Sequence, residues 1–178
     1  ALANAAELAS GQQANAASEA LMTAKAALAS TKAGAAVDQL SVALMNEINQ
    51  GLVEIEKRDG KVFVTLGEGG SFPSGNADLT PEAEDILSRI AFATMEPNST
   101  ISVAGHTDDV PISGGLYRDN WDLAAARAST VVQAIQNTGL VSPDRMKAIS
   151  YGDTKPKAEN ATDAGREQNR RIEIEIDF

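Results

Sequence analysis

From Val37 onward, the apolar positions fall into runs whose spacing switches between helical and strand-like. Val37, Leu40, Leu44, Ile48 and Leu52 recur every three or four residues, which predicts one face of a helix, with Gly51 placed to end it. Val53 and Ile55 then alternate with Glu54 and Glu56. After Asp59-Gly60 the alternation resumes at Val62, Val64 and Leu66. Alternation, Asp-Gly, alternation is a hairpin signal. The stretch from Gly67 to Asn76 is rich in glycine and carries Phe72-Pro73. Thr80 suits a helix N-cap, Pro81 the first helical position, and Glu82 and Glu84 oppose the positive end of the helix dipole. That helix should bury Ile86, Leu87, Ile90 and Ala91.

A strand with Ile101, Val103 and Gly105 on one face is expected next, ending in Gly105-His106-Thr107-Asp108. A loop through Pro111, Gly114 and Gly115 leads to a helix over about residues 120–137, with Ala124, Ala128, Val131 and Ile135 as its stripe. Ser142-Pro143-Asp144 starts a short turn. Met146, Ala148 and Ser150 belong to a further strand closed by Tyr151-Gly152. After the polar stretch from Asn160 to Arg171, a last strand alternates Ile172, Ile174 and Ile176 with acids.

From Lys61 the order is therefore strand, helix, strand, helix, strand, short helix, strand. This predicts an α/β (α+β) sandwich, a mixed sheet with helices on one face. Glu173, Glu175 and Asp177 make the other face of the last strand polar, so that face should meet solvent. Residues 61–178 form the main domain, with 37–60 supplying a helix and a first strand packed on it.

Residues 1–36 differ. Nearly half are alanine, with Asn, Gln, Ser and Thr between. Helix propensity is high, but Leu8, Leu21, Met22 and Leu28 are too sparse for a core of their own. The segment reads as a helical or partly disordered linker that would need a partner helix, such as one from a second copy of the chain. A tether of ~36 residues spans about 54 Å as helix and more than about 110 Å extended, so unwinding would roughly double its reach.

Composition narrows the functional classes. The 178 residues carry a formal net charge of −10, which disfavours nucleic acid and anionic bilayer surfaces as partners. There is no cysteine, so disulfides, thiolate metal sites and cysteine nucleophiles are excluded. No apolar run is long enough to span a membrane, and the chain opens on Ala1, which points to a segment upstream.

Candidate chemistry gathers in three segments: Gly105 to Asp108 at a strand end, Leu123 to Ala128 inside the following helix, and Gly165 to Arg171 before the last strand. A strand, loop and helix return the chain across the strand's end, which brings Arg127 within reach of Asp108. A guanidinium fork suits a carboxylate, and an aspartate offers acceptors to an ammonium. Together they can hold a zwitterionic amino-acid end. Arg127 can equally make a structural ion pair with Asp108. Of Arg170 and Arg171, one should pair with a surface acid, and Arg170 is the expected one, since strand neighbours point to opposite faces. His106 with Asp108, Asp109 and Ser113 suggests a nucleophilic triad only weakly, because no nucleophile elbow surrounds a serine. The imidazole is expected to hydrogen-bond the loop. One histidine and no cysteine argue against zinc, and no calcium loop is present.

Gly-His-Thr-Asp, the Leu-x-x-x-Arg-Ala helix, Tyr151-Gly152-Asp153-x-x-Pro156 and Asn160-x-x-x-x-Gly165-Arg166-x-x-Asn169-Arg170-Arg171 together resemble the OmpA-like peptidoglycan-binding domain, in order and spacing, over about residues 61–178. Asp108-Asp109-Val110-Pro111 and Phe72-Pro73-Ser74-Gly75 resemble the B subunits of flagellar stators, the MotB/PomB group, and PomB of sodium-driven motors most closely. The resemblance implies a non-catalytic anchor without cofactor or metal. Asp108 and Arg127 would grip the diaminopimelate of the stem peptide, Asn120 and Arg171 would line the same groove, and Thr107 would assist. It further implies a periplasmic homodimer on a single inner-membrane helix, partnered by a stator A subunit (MotA/PomA type) and by periplasmic ring proteins. An outer-membrane or lipoprotein wall anchor of the same fold is the alternative. Ala124 departs from the serine common at that helix position.

Overall fold

The computed structural model describes the backbone of residues 2–178 and the side chains of residues 11–178. Helix α1 (Leu2–Ala43) runs unbroken through residue 36. Its alanines, lysines and glutamines favour helix and no proline interrupts it. The side chain of Leu8 lies outside the described residues. Leu21, Met22 and Leu28 are more than half exposed, whereas Ala33, Ala36, Leu40 and Leu44 are buried in the core. Docking thus begins about one turn before the expected Val37. Alanine is small enough to let the helix lie against the sheet, yet it adds little to an apolar pattern. Among the described residues no helix is long and apolar enough to cross a membrane.

Leu44 leaves helical geometry and a short α2 (Met45–Asn49) follows. The guanidinium of Arg89 donates to the Ala43 carbonyl at 2.8 Å and to Glu47 at 3.2 Å, which satisfies an otherwise open helix end. Strands β1 (Val53–Arg58) and β2 (Lys61–Gly67) form the hairpin. Asp59 and Gly60 both have positive φ, 53° and 75°, as the tight two-residue turn requires.

A single helical turn, α3 (Glu68–Ser71), leads through a loop to α4 (Pro81–Ala93), where the Thr80 hydroxyl caps the Ala83 amide at 3.2 Å. Then come β3 (Thr100–His106), α5 (Asn120–Asn137), a short 3-10 turn (Pro143–Arg145), β4 (Met146–Gly152), α6 (Asp163–Asn169) and β5 (Arg171–Asp177). The sheet order is β1-β2-β5-β3-β4. All neighbours are antiparallel except β3 and β4, which α5 connects. The sheet is mixed, with helices covering one face, and that face holds Val64, Leu66, Ile101, Val103, Ile172, Ile174 and Ile176.

Gly105 decides how closely α5 can lie on β3. A Cβ there would sit 2.1 Å from the carbonyl oxygen of Ala124. Ala124 is itself fully buried, so both the glycine and the small helix residue are needed for this approach. The contact presses the helix onto the strand end where Thr107 and Asp108 follow.

Candidate functional site

Three strand ends meet at the site. In register, Gly67 of β2 lies opposite Arg171 of β5, and Arg171 lies opposite His106 of β3. The residues just beyond them, Glu68, Arg170 and Thr107-Asp108, therefore converge. The backbone amide of Glu68 donates to the Arg170 carbonyl at 3.0 Å, and that of Thr107 to Gly152 at 2.8 Å.

The side chains form a continuous alternating chain of charge, Arg127–Glu68–Arg170–Asp108. Arg127 Nη2 donates to Glu68 Oε1 at 2.5 Å, and Arg127 Nε to the Asn76 carbonyl at 2.8 Å. Its guanidinium also lies 5.0 Å from the Phe72 ring centre. Arg170 Nε donates to the other oxygen of Glu68. Arg170 Nη1 donates to Asp108 Oδ2 at 2.7 Å, while Asp108 Oδ1 accepts from the Val110 amide at 3.1 Å. Burial pulls the pKa of Arg170 down, but the hydrogen bond it donates to Asp108 and the charge of Glu68 outweigh it and leave it raised.

Asn120 is buried at the start of α5, where Asp119 caps the helix through the Asp122 amide at 2.9 Å. Its amide donates to the carbonyls of Asp108 and Val110, at 3.2 Å each, so it shapes the loop that carries the aspartate. The Thr107 hydroxyl donates to the Asp108 carbonyl at 2.9 Å. The structure thus groups Asp108, Arg127, Asn120 and Thr107. Arg127 does not touch Asp108: Glu68 and Arg170 stand between them.

Arg171 adjoins this network but makes none of its contacts. It lies on the outer sheet face, donates to Glu173 at 2.7 Å and to the carbonyls of Asn169 and Lys155 at 3.2 Å, and belongs to the His106 neighbourhood. The expected roles of the two arginines are exchanged: Arg170 meets Asp108, and Arg171 pairs with an acid. The reason is phase. Residues paired across a ladder share a face, so Arg171 must follow His106 outward.

His106 also departs from expectation. Its ring is buried, stacks on Tyr151 with centroids 5.3 Å apart, and neither ring nitrogen has a hydrogen-bond partner. It does not bond the loop, and no triad with Asp108, Asp109 or Ser113 is assembled. Burial lowers its pKa to about 4, helped by the charges of Arg171 and Lys155 against the opposing charge of Glu173.

The polar motif before β5 is structural. The buried Asn169 carboxamide accepts from the amides of Lys157 and Ala158, at 2.7 and 2.8 Å, and donates to Ala158 and Asn160. A Cβ on Gly165 would meet the Glu159 carbonyl oxygen at 1.9 Å. These residues fold the loop that delivers Arg170. Two site residues, Glu68 and Asn76, were missed in the sequence. The only available signal for Glu68 was an acid isolated among glycines just past a strand.

The model of the OmpA family matches residues 71–170, more than half of the chain. This chain belongs to the OmpA family. Motility protein B of Bacillus subtilis is 30% identical over 116 residues, which cover 65% of this chain and 44% of that protein. Among solved structures, a putative MotB-like protein from Desulfovibrio vulgaris superimposes with a TM-score of 0.75 over 83% of this chain and 95% of that one, at 23% identity, and so shares the fold. The cell wall anchor of the type VI secretion system (T6SS) from Pseudomonas aeruginosa gives 0.70 at 34% identity, over 78% of this chain and 96% of that one. This OmpA-family chain spans about half the length of the curated relatives it matches. Its five-stranded mixed sheet with helices on one face is the fold it shares with that MotB-like protein.

Proposed function

We propose that this domain is a periplasmic, non-catalytic anchor that ties a flagellar stator to peptidoglycan by holding the diaminopimelate end of a stem peptide. The observation that carries the reading is the pairing, at one strand end, of a buried guanidinium (Arg127) with a carboxylate (Asp108) through a charge-balanced network. A zwitterionic tip needs those two chemistries, its carboxylate on a guanidinium and its ammonium on an aspartate. Asn120 and Thr107 hold the Asp108 loop in place for it. Arg170, rather than Arg171, lines the site. Similarity to motility protein B supports the stator, and with it a homodimer, one membrane helix upstream, a stator A subunit and ring proteins as partners. The PomB-like segments favour sodium coupling.

The test is co-sedimentation with purified sacculi. Asp108→Asn and Arg127→Ala, each with a circular dichroism spectrum like wild type, should lose binding and motility. Retained sedimentation in both would remove the site from the mechanism. A second reading, a wall anchor for another envelope machine, is favoured by the similarity to the secretion-system anchor. Complementation of a stator-deficient strain separates the two: restored swimming supports the stator, and wall binding without it supports the other machine.

A further inference from the structure

Glu68 is the one site residue whose charge runs against the proposed ligand chemistry. A site for a carboxylate gains nothing from a buried carboxylate of its own. Yet Glu68 is 9% exposed, and its two oxygens are taken by two guanidiniums, Arg127 on one and Arg170 on the other. That is the two-arginine clamp a ligand carboxylate would occupy. At the far end Arg170 also sits on Asp108, at 2.7 Å, where a ligand ammonium would go. Linked to each other, Glu68 and Arg170 present Arg127 with a carboxylate and Asp108 with a cation.

We propose that Glu68 is a built-in surrogate for the ligand's carboxylate, and that binding is an exchange of carboxylates on the Arg127–Arg170 clamp. This rests on the anchoring reading above and adds what sets its affinity. The exchange has a route. Glu68 begins the single turn α3, where its amide is held by the Arg170 carbonyl and its carbonyl by the Phe72 amide, at 3.0 Å each, so the exchange needs only rotation of its side chain about a fixed backbone. Beside it opens a cavity of about 280 Å³ lined by Glu68, Gly69, Thr65, Lys157, Gln168 and Arg171. A displaced Glu68 can turn into this space toward the ammonium of Lys157, which now holds the exposed Glu54. Each surviving arginine keeps a carboxylate partner throughout, so no buried charge is left bare.

Arg170 moves less. Once Glu68 leaves, its guanidinium can stay on the incoming carboxylate while Asp108 turns to the ammonium. The clamp thus trades an internal carboxylate for an external one, while Asp108 trades the Arg170 guanidinium for the ligand's ammonium, and the charge of the displaced Glu68 is taken up beside Lys157. Wild-type affinity is held below that of an empty clamp by the fraction of time Glu68 occupies it.

The experiment is calorimetric titration of the 178-residue chain with a soluble muropeptide carrying diaminopimelate. Glu68→Gln, which keeps the shape and removes the charge, should bind about tenfold tighter or more than wild type. Adding Asp108→Asn to it should abolish the gain. Equal or weaker binding by Glu68→Gln, with wild type binding normally, overturns the surrogate role and leaves the anchoring reading standing. Absence of binding by wild type to both muropeptide and sacculi overturns the anchoring reading itself. Two further measurements do not depend on that variant folding well. In wild type, saturating muropeptide should shift the amide resonances of Glu68, Gly69 and Gly70, and unchanged resonances there overturn the exchange. In Glu68→Ala, sodium acetate should raise the melting temperature above that in matched sodium chloride, by filling the vacated clamp. An identical melting temperature in the two salts counts against it.

Discussion

Arg170 and Arg171 are consecutive residues, and each meets a glutamate. Arg170 faces inward to Glu68 and Asp108, in a network where every charge has an opposite neighbour. Arg171 faces outward to Glu173, beside a buried imidazole with no hydrogen-bond partner on either nitrogen and a Glu173 oxygen 3.8 Å from its Nε2. One cluster is saturated by its own opposite charges. The other holds its histidine neutral by burial and nearby positive charge. Side chains of the same kind therefore do different work according to which face of one strand they take.

The strand that feeds both clusters is the place to break them together. Gly105→Ala would put a Cβ 2.1 Å from a backbone oxygen of α5, and neither the helix nor the central strand can yield cheaply. The expected loss is about 3 kcal/mol or more, at the upper end of overpacking costs. Urea denaturation would show it as a large drop in midpoint. A midpoint within error of wild type would mean that α5 is not pinned to β3.

The contrast sharpens when one arginine is removed from each side. Arg127 is 2% exposed and Arg127→Ala strips one oxygen of the buried Glu68, an expected cost of about 3 kcal/mol. Arg171→Ala strips Glu173, whose side chain is 30% exposed and can turn to water, so about 1–2 kcal/mol is expected. Equal costs in chemical denaturation would erase the distinction between the two faces.

That distinction was partly legible beforehand. Ile172, Ile174 and Ile176 fix the inward phase of β5, and Arg171 shares the parity of Glu173 and Glu175, so the outward place of Arg171 follows from alternation alone. Reading alternation without its phase exchanged the two arginines. The hairpin, α4 and α5 followed from periodicity and caps because those signals are local. The Glu68 clamp did not. It is made by residues about 60 and 100 positions apart, and only the sheet register brings them together. The docking of Ala33 and Ala36 was hidden for another reason: alanine looks alike in a free helix and in a tightly packed one.

The outer cluster can next be addressed by pH. Unfolded, His106 takes up its proton near the ordinary 6.5; folded, near 4. Below 6.5 the unfolded state binds the proton first. Stability from the neutral imidazole is therefore full above pH 6.5, falls as pH drops, and is exhausted below about 4. Between pH 7 and 4.5 the expected loss is about 2–3 kcal/mol. His106→Phe, which keeps a ring on Tyr151, should lack this component. Matching pH profiles for variant and wild type in urea denaturation would show that the imidazole is not held neutral.

The smallest expected effect tests how that pKa is set. Lys155 Nζ lies 3.8 Å from the Tyr151 ring centre and adds positive charge beside the imidazole. Lys155→Met removes a cation–π contact worth about 0.5–1 kcal/mol at such an exposed site. It also removes one of the charges that keep His106 neutral, so the folded pKa should rise from about 4 toward 6.5 without reaching it, because burial is the larger cause. His106 is the single histidine of the chain, so its ring proton can be followed by NMR without assignment ambiguity. A pKa that stays put would place the control in burial and Arg171 alone. A pKa at the ordinary value would mean that the outer face is wetter than its packing implies, and the contrast with the inner, saturated cluster would then rest on charge pairing and not on exclusion of water.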